Sequence, residues 1–541
     1  MQPSNGRAEV ASGRLFGPGP PETLRGESGP PGLGSCQSLD WARHRPTLTP
    51  PGPLPRNPAG SGHNWHGDHV STDPAAVLPL AGHLRKTFRS AGFTVDGVDD
   101  LLGPLATAAL GRGDLIPALA EATGDTRLDV LVRLFLLGSS EPAAAASFLP
   151  DCVLEAAGPG VVRAALDLRP HEVDWWVAAD IARVHPPAAD HVIGIGAASM
   201  TLVASTLRRP VGSAFDLGTG CGIQALHLTR HAARVTASDS VPRAVDMARL
   251  TFALSGFGPD EIEVFLGDHF APVAGRQFDL VVSNPPFVLA PADPDALTYR
   301  DTSSSDGDLA QLLYGAQVTL APGGVAQMLT SWVVDGDWRE TPAGLLPPGC
   351  DALVLLREVL DPAEHVALWR DDEEAEPAAT TRALRWLAHL ESLSAEQVAY
   401  GLIVLRRTDA EPRVRFVDVR GEGSSPSGER LRAWLDRGEE LREAQFGDLR
   451  LRVSPDVRLV EESVPGDGQW DAVQGQLIAA CALPQTIGID PVTRALLLGC
   501  DGSLPISAIA ELLSVATGAP ADGVLRVAEV LLESGHLQVA F

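Results

Sequence analysis

Hydrophobic spacing divides the chain into stretches of different period. From Val77 to Leu137, short segments such as "LRKTFRSAGF", "LIPALAEATG" and "RLDVLVRLFLLG" place apolar residues at helical spacing, separated by Gly, Asp and Thr. "VVRAALDLRPHEVDWWVAADI" then alternates like a hairpin, with its turn near Arg169–Glu172. Residues 190–420 alternate apolar strand-like runs with helical ones, the pattern of an α/β open parallel sheet. Seven strands are expected, at "SAFDL", "RVTASD", "EVFLGD", "FDLVVSN", "VAQMLTSW", "ALVLLRE" and "YGLIVLRR". After 430, "VTRALLLGCDG", "SAIAELLSVATG", "GVLRVAEVLLESG" and "HLQVAF" predict three helices and a strand.

The predicted layout has five parts. Residues 1–75 contain 13 Pro and 12 Gly, which cannot bury a core and predicts a disordered tail. Within it His63, His66 and His69 fall three apart; in such a tail they read as solvated histidines rather than a metal site. Residues 76–189 and 430–541 read as winged-helix-like units, 190–420 as the α/β domain and 421–429 as a linker. "RDDEEAEPAAT" (370–380) reads as a solvated acidic loop.

Charge and cysteines narrow the function. Net charge is −27, which lowers the expectation of a phosphate-gripping protein without excluding a local basic patch. Six scattered cysteines with no CxxC pair argue against a zinc ribbon or a disulfide framework. They fit a reducing cytoplasm. No long apolar run predicts a membrane helix.

Two constellations carry chemistry. In "SAFDLGTGCGIQALHL", Asp216 ends a strand, and Gly218, Gly220 and Gly222 follow before a helix. Glycines let the backbone turn tightly and approach a ligand, and the helix start presents free N–H groups. A dinucleotide fingerprint would put its third glycine at Ile223, so a dehydrogenase is disfavoured. Asp239 and Asp268 end the next two strands, where carboxylates can accept from ribose hydroxyls and from an adenine amine.

The second constellation is "SNPPF". Asn284 offers a side-chain carbonyl and Pro285 a rigid backbone carbonyl, two acceptors for the two hydrogens of a planar –NH2 group. Pro286 stiffens the corner and Phe287 gives a flat apolar face. Such a corner positions a nitrogen for attack, with neither a metal nor a covalent nucleophile required.

Together "DLGTGCG", Asp239, Asp268 and "NPPF" resemble the class I S-adenosylmethionine-dependent methyltransferases, in the "small-domain" N-methyltransferase group. That resemblance implies a Rossmann-like seven-stranded sheet whose last strand is antiparallel, and S-adenosyl-L-methionine as cofactor. It implies that Asp216, Gly218, Gly220 and Gly222 hold the methionine portion, Asp239 the ribose and Asp268 the adenine. Asn284, Pro285, Pro286 and Phe287 would hold the target nitrogen. "GIGAASMTLVAST" (194–206) looks like the segment before the first strand that lies near the cofactor carboxylate, with Thr201 as its candidate.

The group includes methylases of the release-factor glutamine amide and of exocyclic amines in RNA or DNA. The glutamine enzymes usually carry NPPY; NPPF occurs in RNA guanine methylases. "TYRDTSSSDGD" (298–308) only loosely resembles the stretch that follows NPPY in the glutamine enzymes. The overall layout resembles multidomain methyltransferase-like proteins of actinobacteria. Residues 191–345 hold 16 acidic and 9 basic residues, which tilts the expectation toward a protein glutamine. A nucleic-acid base is the alternative, and a non-catalytic regulatory module a further one. The expected partner is therefore a macromolecular substrate, protein or RNA/DNA, with no membrane and no metal.

Overall fold

The computed structural model describes residues 73–181, 188–292, 300–302, 306–369, 377–420, 426–443, 445–465, 470–479, 483 and 487–540. The expected tail up to residue 72, with its three histidines, lies outside them. So do most of the acidic loop, residues 421–425 of the expected linker and part of 298–308.

The centre is an eight-stranded sheet: β1 (Ala214–Leu217), β2 (Val235–Asp239), β3 (Ile262–Leu266), β4 (Phe278–Ser283), β5 (Leu320–Val334), β6 (Cys350–Leu360), β7 (Gln397–Arg407) and β8 (Val414–Asp418). Spatial order is β8-β6-β7-β5-β4-β1-β2-β3. β1 to β5 run parallel, and β7 runs antiparallel to both β5 and β6. All seven expected strands are present, in the expected Rossmann-like class I arrangement. β8 is additional, a short edge strand parallel to β6. Its sequence, "VRFVD", carries Arg415 and Asp418 beside a loop and shows too little apolar alternation to announce itself.

The central strands are near-continuous apolar runs because both faces are covered. On one face Leu280, Val282 and Leu402 join the larger core; on the other Phe215, Val281 and Ile403 join a second. Helices relevant below are α1 (Ala197–Ser205), α2 (Ile223–Leu228), α3 (Pro242–Ser255), α4 (Asp306–Thr319), α5 (Pro362–Trp369), α6 (Ala378–Ser392) and α7 (Gly428–Glu443).

The N-terminal module contributes to the larger core. Its helices (Ala81–Ala91, Val95–Leu110 and shorter ones) bury Leu84, Phe88 and Phe93 with sheet residues. The hairpin is present, with strands Asp167–His171 and Trp175–Ala179, so its turn falls at 172–174 rather than 169–172. It lies along α3, where Trp176 N–H donates to Ser255 Oγ (3.1 Å) and Ala178 N–H to Thr251 Oγ1 (2.9 Å). Arg243 Nε donates to Asp180 Oδ2 at 2.9 Å and fixes the chain that leads into α1.

After 430 the three expected helices (Pro491–Gly499, Ile506–Thr517, Ala521–Ser534) and the strand Leu537–Val539 are present. A three-stranded sheet and a hairpin accompany them. α7 buries Leu431, Trp434 and Leu435 in the larger core, so the chain is still part of the central body at the expected boundary. β8 explains how this unit attaches. Arg415 Nε donates to Glu533 Oε2 at 2.6 Å, and Glu533 is only 5% exposed. No helix among the described residues is long and apolar enough to cross a membrane.

Candidate active site

The order of a parallel sheet reverses between β1 and β4, and that split opens a crevice at the strands' carboxyl ends. Register places Leu217 opposite Ser283 on one side and Ser238 on the other. The glycine turn, the Asn284 corner and Asp239 therefore leave the sheet at one level. Ser283 Oγ donates to Leu217 O (2.8 Å), and the Gly218 and Thr219 N–H groups donate to Ser238 O (2.9 and 3.0 Å).

Asp216 is fully buried. Its Oδ2 accepts from Thr219 Oγ1 (2.7 Å) and Ala225 N–H (3.1 Å), while Oδ1 has no partner. Burial pushes the carboxyl up to about 7; the two donors oppose that shift and the nearby Asp239 charge adds to it. An unpaired buried carboxylate oxygen fits a site meant for a cationic ligand group.

Gly218, Gly220 and Gly222 all have positive φ (73°, 53° and 87°). A Cβ on Gly218 or Gly220 would meet nothing within 4 Å, whereas one on Gly222 would lie 2.7 Å from Phe252 Cε1. The first two thus border open space into which a ligand fits, and the third packs against α3.

Asp239 Oδ2 accepts from Gly220 N–H (2.9 Å) and Oδ1 from Val241 N–H (3.0 Å). Burial raises its pKa against the pull of these N–H groups. Each oxygen keeps a further lone pair, as the ribose role requires. Asp268 stands apart from this buried cluster. Its side chain is 76% exposed and takes a 2.7 Å contact from His269 Nδ1.

At the corner Pro285 is buried and Pro286 exposed. Asn284 Nδ2 is 3.5 Å from Ser199 Oγ in α1; its buried Oδ1 has no partner. Gln224 Nε2 of α2 donates to Ser199 O at 2.7 Å, so α1, α2 and the corner are linked. Thr201 is half-buried, and among the described residues its side chain makes no hydrogen bond to the corner. Ser199, in the same segment, is the residue that meets the corner.

Sequence reasoning also missed the support under Phe287. Its ring is edge-on to Trp369 (6.3 Å, 73°) and Tyr400 (6.2 Å, 82°). Trp369 Nε1 donates to Tyr400 OH (2.9 Å), Tyr400 OH meets His365 Nδ1 (2.6 Å), and His365 Nε2 meets Leu289 O (2.9 Å). His365 is fully buried, and burial holds it down at about 4. These residues come from α5 and β7, far along the chain from "NPPF".

The glycine turn and the Asn284 corner both lie within a stretch that matches a known family. A family model described as "Methyltransferase small domain" matches residues 194–324. Two further families, each described as a domain of unknown function, match 90–171 and 430–537. "Ribosomal RNA small subunit methyltransferase C" of Salmonella choleraesuis (strain SC-B67) is 36% identical over 96 residues, 17% of this chain and 27% of that protein. Its namesake from Citrobacter koseri is 31% identical over 141 residues, 26% of this chain and 36% of that protein. The chain thus spans about a third or less of the length of these relatives. Among solved structures, TrmN from Thermus thermophilus is similar at 20% identity and a TM-score of 0.24, covering 45% of this chain and 60% of that one.

Proposed function

We propose that this protein is an S-adenosylmethionine-dependent N-methyltransferase acting on the exocyclic amine of an RNA base. The observation that carries the reaction class is Asn284 Oδ1, a buried acceptor with no partner at the level of the glycine turn. S-adenosylmethionine would supply an electrophilic methyl group bonded to sulfur. Asp216 and the Gly218–Gly222 turn would bind its methionine end, Asp239 its ribose and Asp268 its adenine. Asn284 Oδ1 and the Pro285 carbonyl would accept both hydrogens of the target –NH2, and the half-buried Phe287 ring would carry its plane. As the N–C bond forms and the C–S bond breaks, positive charge grows on the nitrogen. The two acceptors stabilise that charge, and the surplus proton leaves to solvent.

The choice of base over amide rests on two supports. Similar proteins are named as ribosomal RNA methyltransferases. On an acidic chain, helix Ala81–Ala91 still gathers Arg85, Lys86 and Arg89 around one open concavity, a local basic surface for phosphates. The protein-glutamine reading keeps the overall acidic charge in its favour. The flanking units would dock the substrate.

The deciding experiment labels a lysate of the source organism with purified protein and methyl-labelled S-adenosylmethionine. Label lost to nuclease and resistant to protease is expected. Label lost only to protease would overturn the RNA assignment in favour of an amide. No label despite cofactor binding would overturn the macromolecular reading.

A further inference from the structure

The hairpin turn and the far end of α2 bring together the only group of three or more potential metal-ligating side chains among the described residues: His171, Glu172 and His227. The two imidazoles face each other, with Nε2 to Nε2 at 2.8 Å, and the ligand atoms of all three lie within 4.8 Å of one another. His227 is 4% exposed. Trp175 walls the site, its ring perpendicular to His227 (5.2 Å, 87°), and Arg230 covers that ring at 4.7 Å. Glu172 holds the turn with a positive φ of 54°, which is uncommon for a residue with a side chain. None of these residues takes part in the methyl-transfer site.

We propose that His171 Nε2, His227 Nε2 and a Glu172 carboxylate oxygen form a site for a zinc-class divalent cation, which staples the N-terminal hairpin to α2. Two imidazoles and a carboxylate are a donor set that zinc accepts, with a fourth position left for water. On a tetrahedral ion two nitrogens stand about 3.4 Å apart, so the pair must part by roughly half an ångström. His171 ends a strand beside the turn, paired with Trp175. Arg230 donates to Glu172 Oε2 at 2.9 Å, which leaves the other oxygen to ligate and orients the carboxylate from behind. The same arginine, with Arg208, places positive charge nearby, so the site should bind more weakly than one without them.

The test uses the full chain, stripped with a chelator, with His63, His66 and His69 replaced by alanine so that the tail cannot bind. Zn2+ is titrated by calorimetry and Co2+ by visible absorption. One equivalent of metal, a tetrahedral cobalt band and a rise in Tm of about 2–5 °C are expected. His171→Ala and Glu172→Gln should each weaken binding tenfold or more, and Arg230→Gln should tighten it several-fold. His227 lies in the core, so His227→Ala is read only if its circular dichroism is unchanged. No uptake at about 0.1 mM metal would overturn the site, leaving the His171–His227 contact as the staple. Uptake unaffected by His171→Ala and Glu172→Gln would overturn it equally. Neither result bears on methyl transfer.

Discussion

The Ser199 hydroxyl stands 3.5 Å from Asn284 Nδ2, and Asn284 Oδ1 is the buried atom left without a partner. In this orientation the amide nitrogen turns toward α1 and the oxygen is the end left to accept. Asn284→Ala removes one of the two acceptors and should lower kcat by about 10²–10³, the usual effect of losing one preorganised charge-stabilising group. Cofactor affinity should change less than twofold. Ser199→Ala leaves the acceptor present but free to turn, and a loss of about three- to tenfold is expected. Single-turnover rates beside cofactor calorimetry check both. An unchanged rate in Asn284→Ala would remove the corner from the mechanism.

Gly220 and Gly222 should fail in different ways. Alanine at 220 meets open space and carries only the strain of its positive φ, about 1–2 kcal/mol. The added methyl stands where the ligand must approach, so affinity for S-adenosylhomocysteine should drop at least tenfold with little loss of Tm. Alanine at 222 lies 2.7 Å from Phe252 Cε1 and 3.4 Å from the Ala248 backbone. That overlap and its φ should cost about 3 kcal/mol or more of stability. Denaturant melts and calorimetry on the two variants separate a binding glycine from a packing glycine. Equal stability losses would contradict the division.

The sheet and the glycine turn were legible because each is a local signal: apolar runs bounded by turn residues, and Gly218, Gly220 and Gly222 within five consecutive positions. Asp239 was legible because β2 ends there. β8 was not, since "VRFVD" pairs with β6 some sixty residues earlier and is also held by Glu533, more than a hundred residues later. The His365–Tyr400–Trp369 chain joins α5 to β7 and meets Phe287 only after folding, so no spacing announces it. His171 and His227 are likewise joined by the docking of the hairpin near α2. Ser199 lies in the same segment as Thr201 but was not singled out, because composition marks a segment and not which side of its helix faces the corner.

Asp216 should impose a pH dependence of definite sign. Unfolded, its carboxyl titrates near about 3.9; folded, burial holds it at about 7. The folded state therefore binds more protons between these values. Its contribution to the stability of the free protein is fully present below about pH 4 and is lost as pH rises through about 7, on the order of a few kcal/mol. The buried His227 (about 3) and His365 (about 4) act in the opposite sense at acid pH. The wild-type minus Asp216→Asn difference isolates the carboxyl. A cationic cofactor favours the charged form, so its affinity should weaken below pH 7 by up to about tenfold per unit. Asp216→Asn should flatten that profile. A wild-type profile already flat from pH 5.5 to 8 would sink the assignment.

Tyr400 OH links a donor, Trp369 Nε1, to an acceptor, His365 Nδ1, beneath Phe287. With Nε2–H of His365 directed to Leu289 O, every group in that chain has a partner. Tyr400→Phe keeps the ring that packs on Phe287 and deletes only the hydroxyl. His365 Nδ1, on a fully buried ring, then loses this partner, and a buried polar group left unpaired costs about 1–3 kcal/mol. A stability loss of about 2 kcal/mol or more is expected. Neutral His365 should not rescue the variant at any pH above about 5, because burial holds it near 4. The looser Phe287 should raise the acceptor KM more than it lowers kcat, since the ring binds the plane of the target and takes no part in bond making. Cofactor affinity should stay unchanged. A Tyr400→Phe protein as stable as wild type would show that the hydroxyl is not what anchors the platform, and the edge-on packing of Trp369 and Tyr400 would then carry it alone.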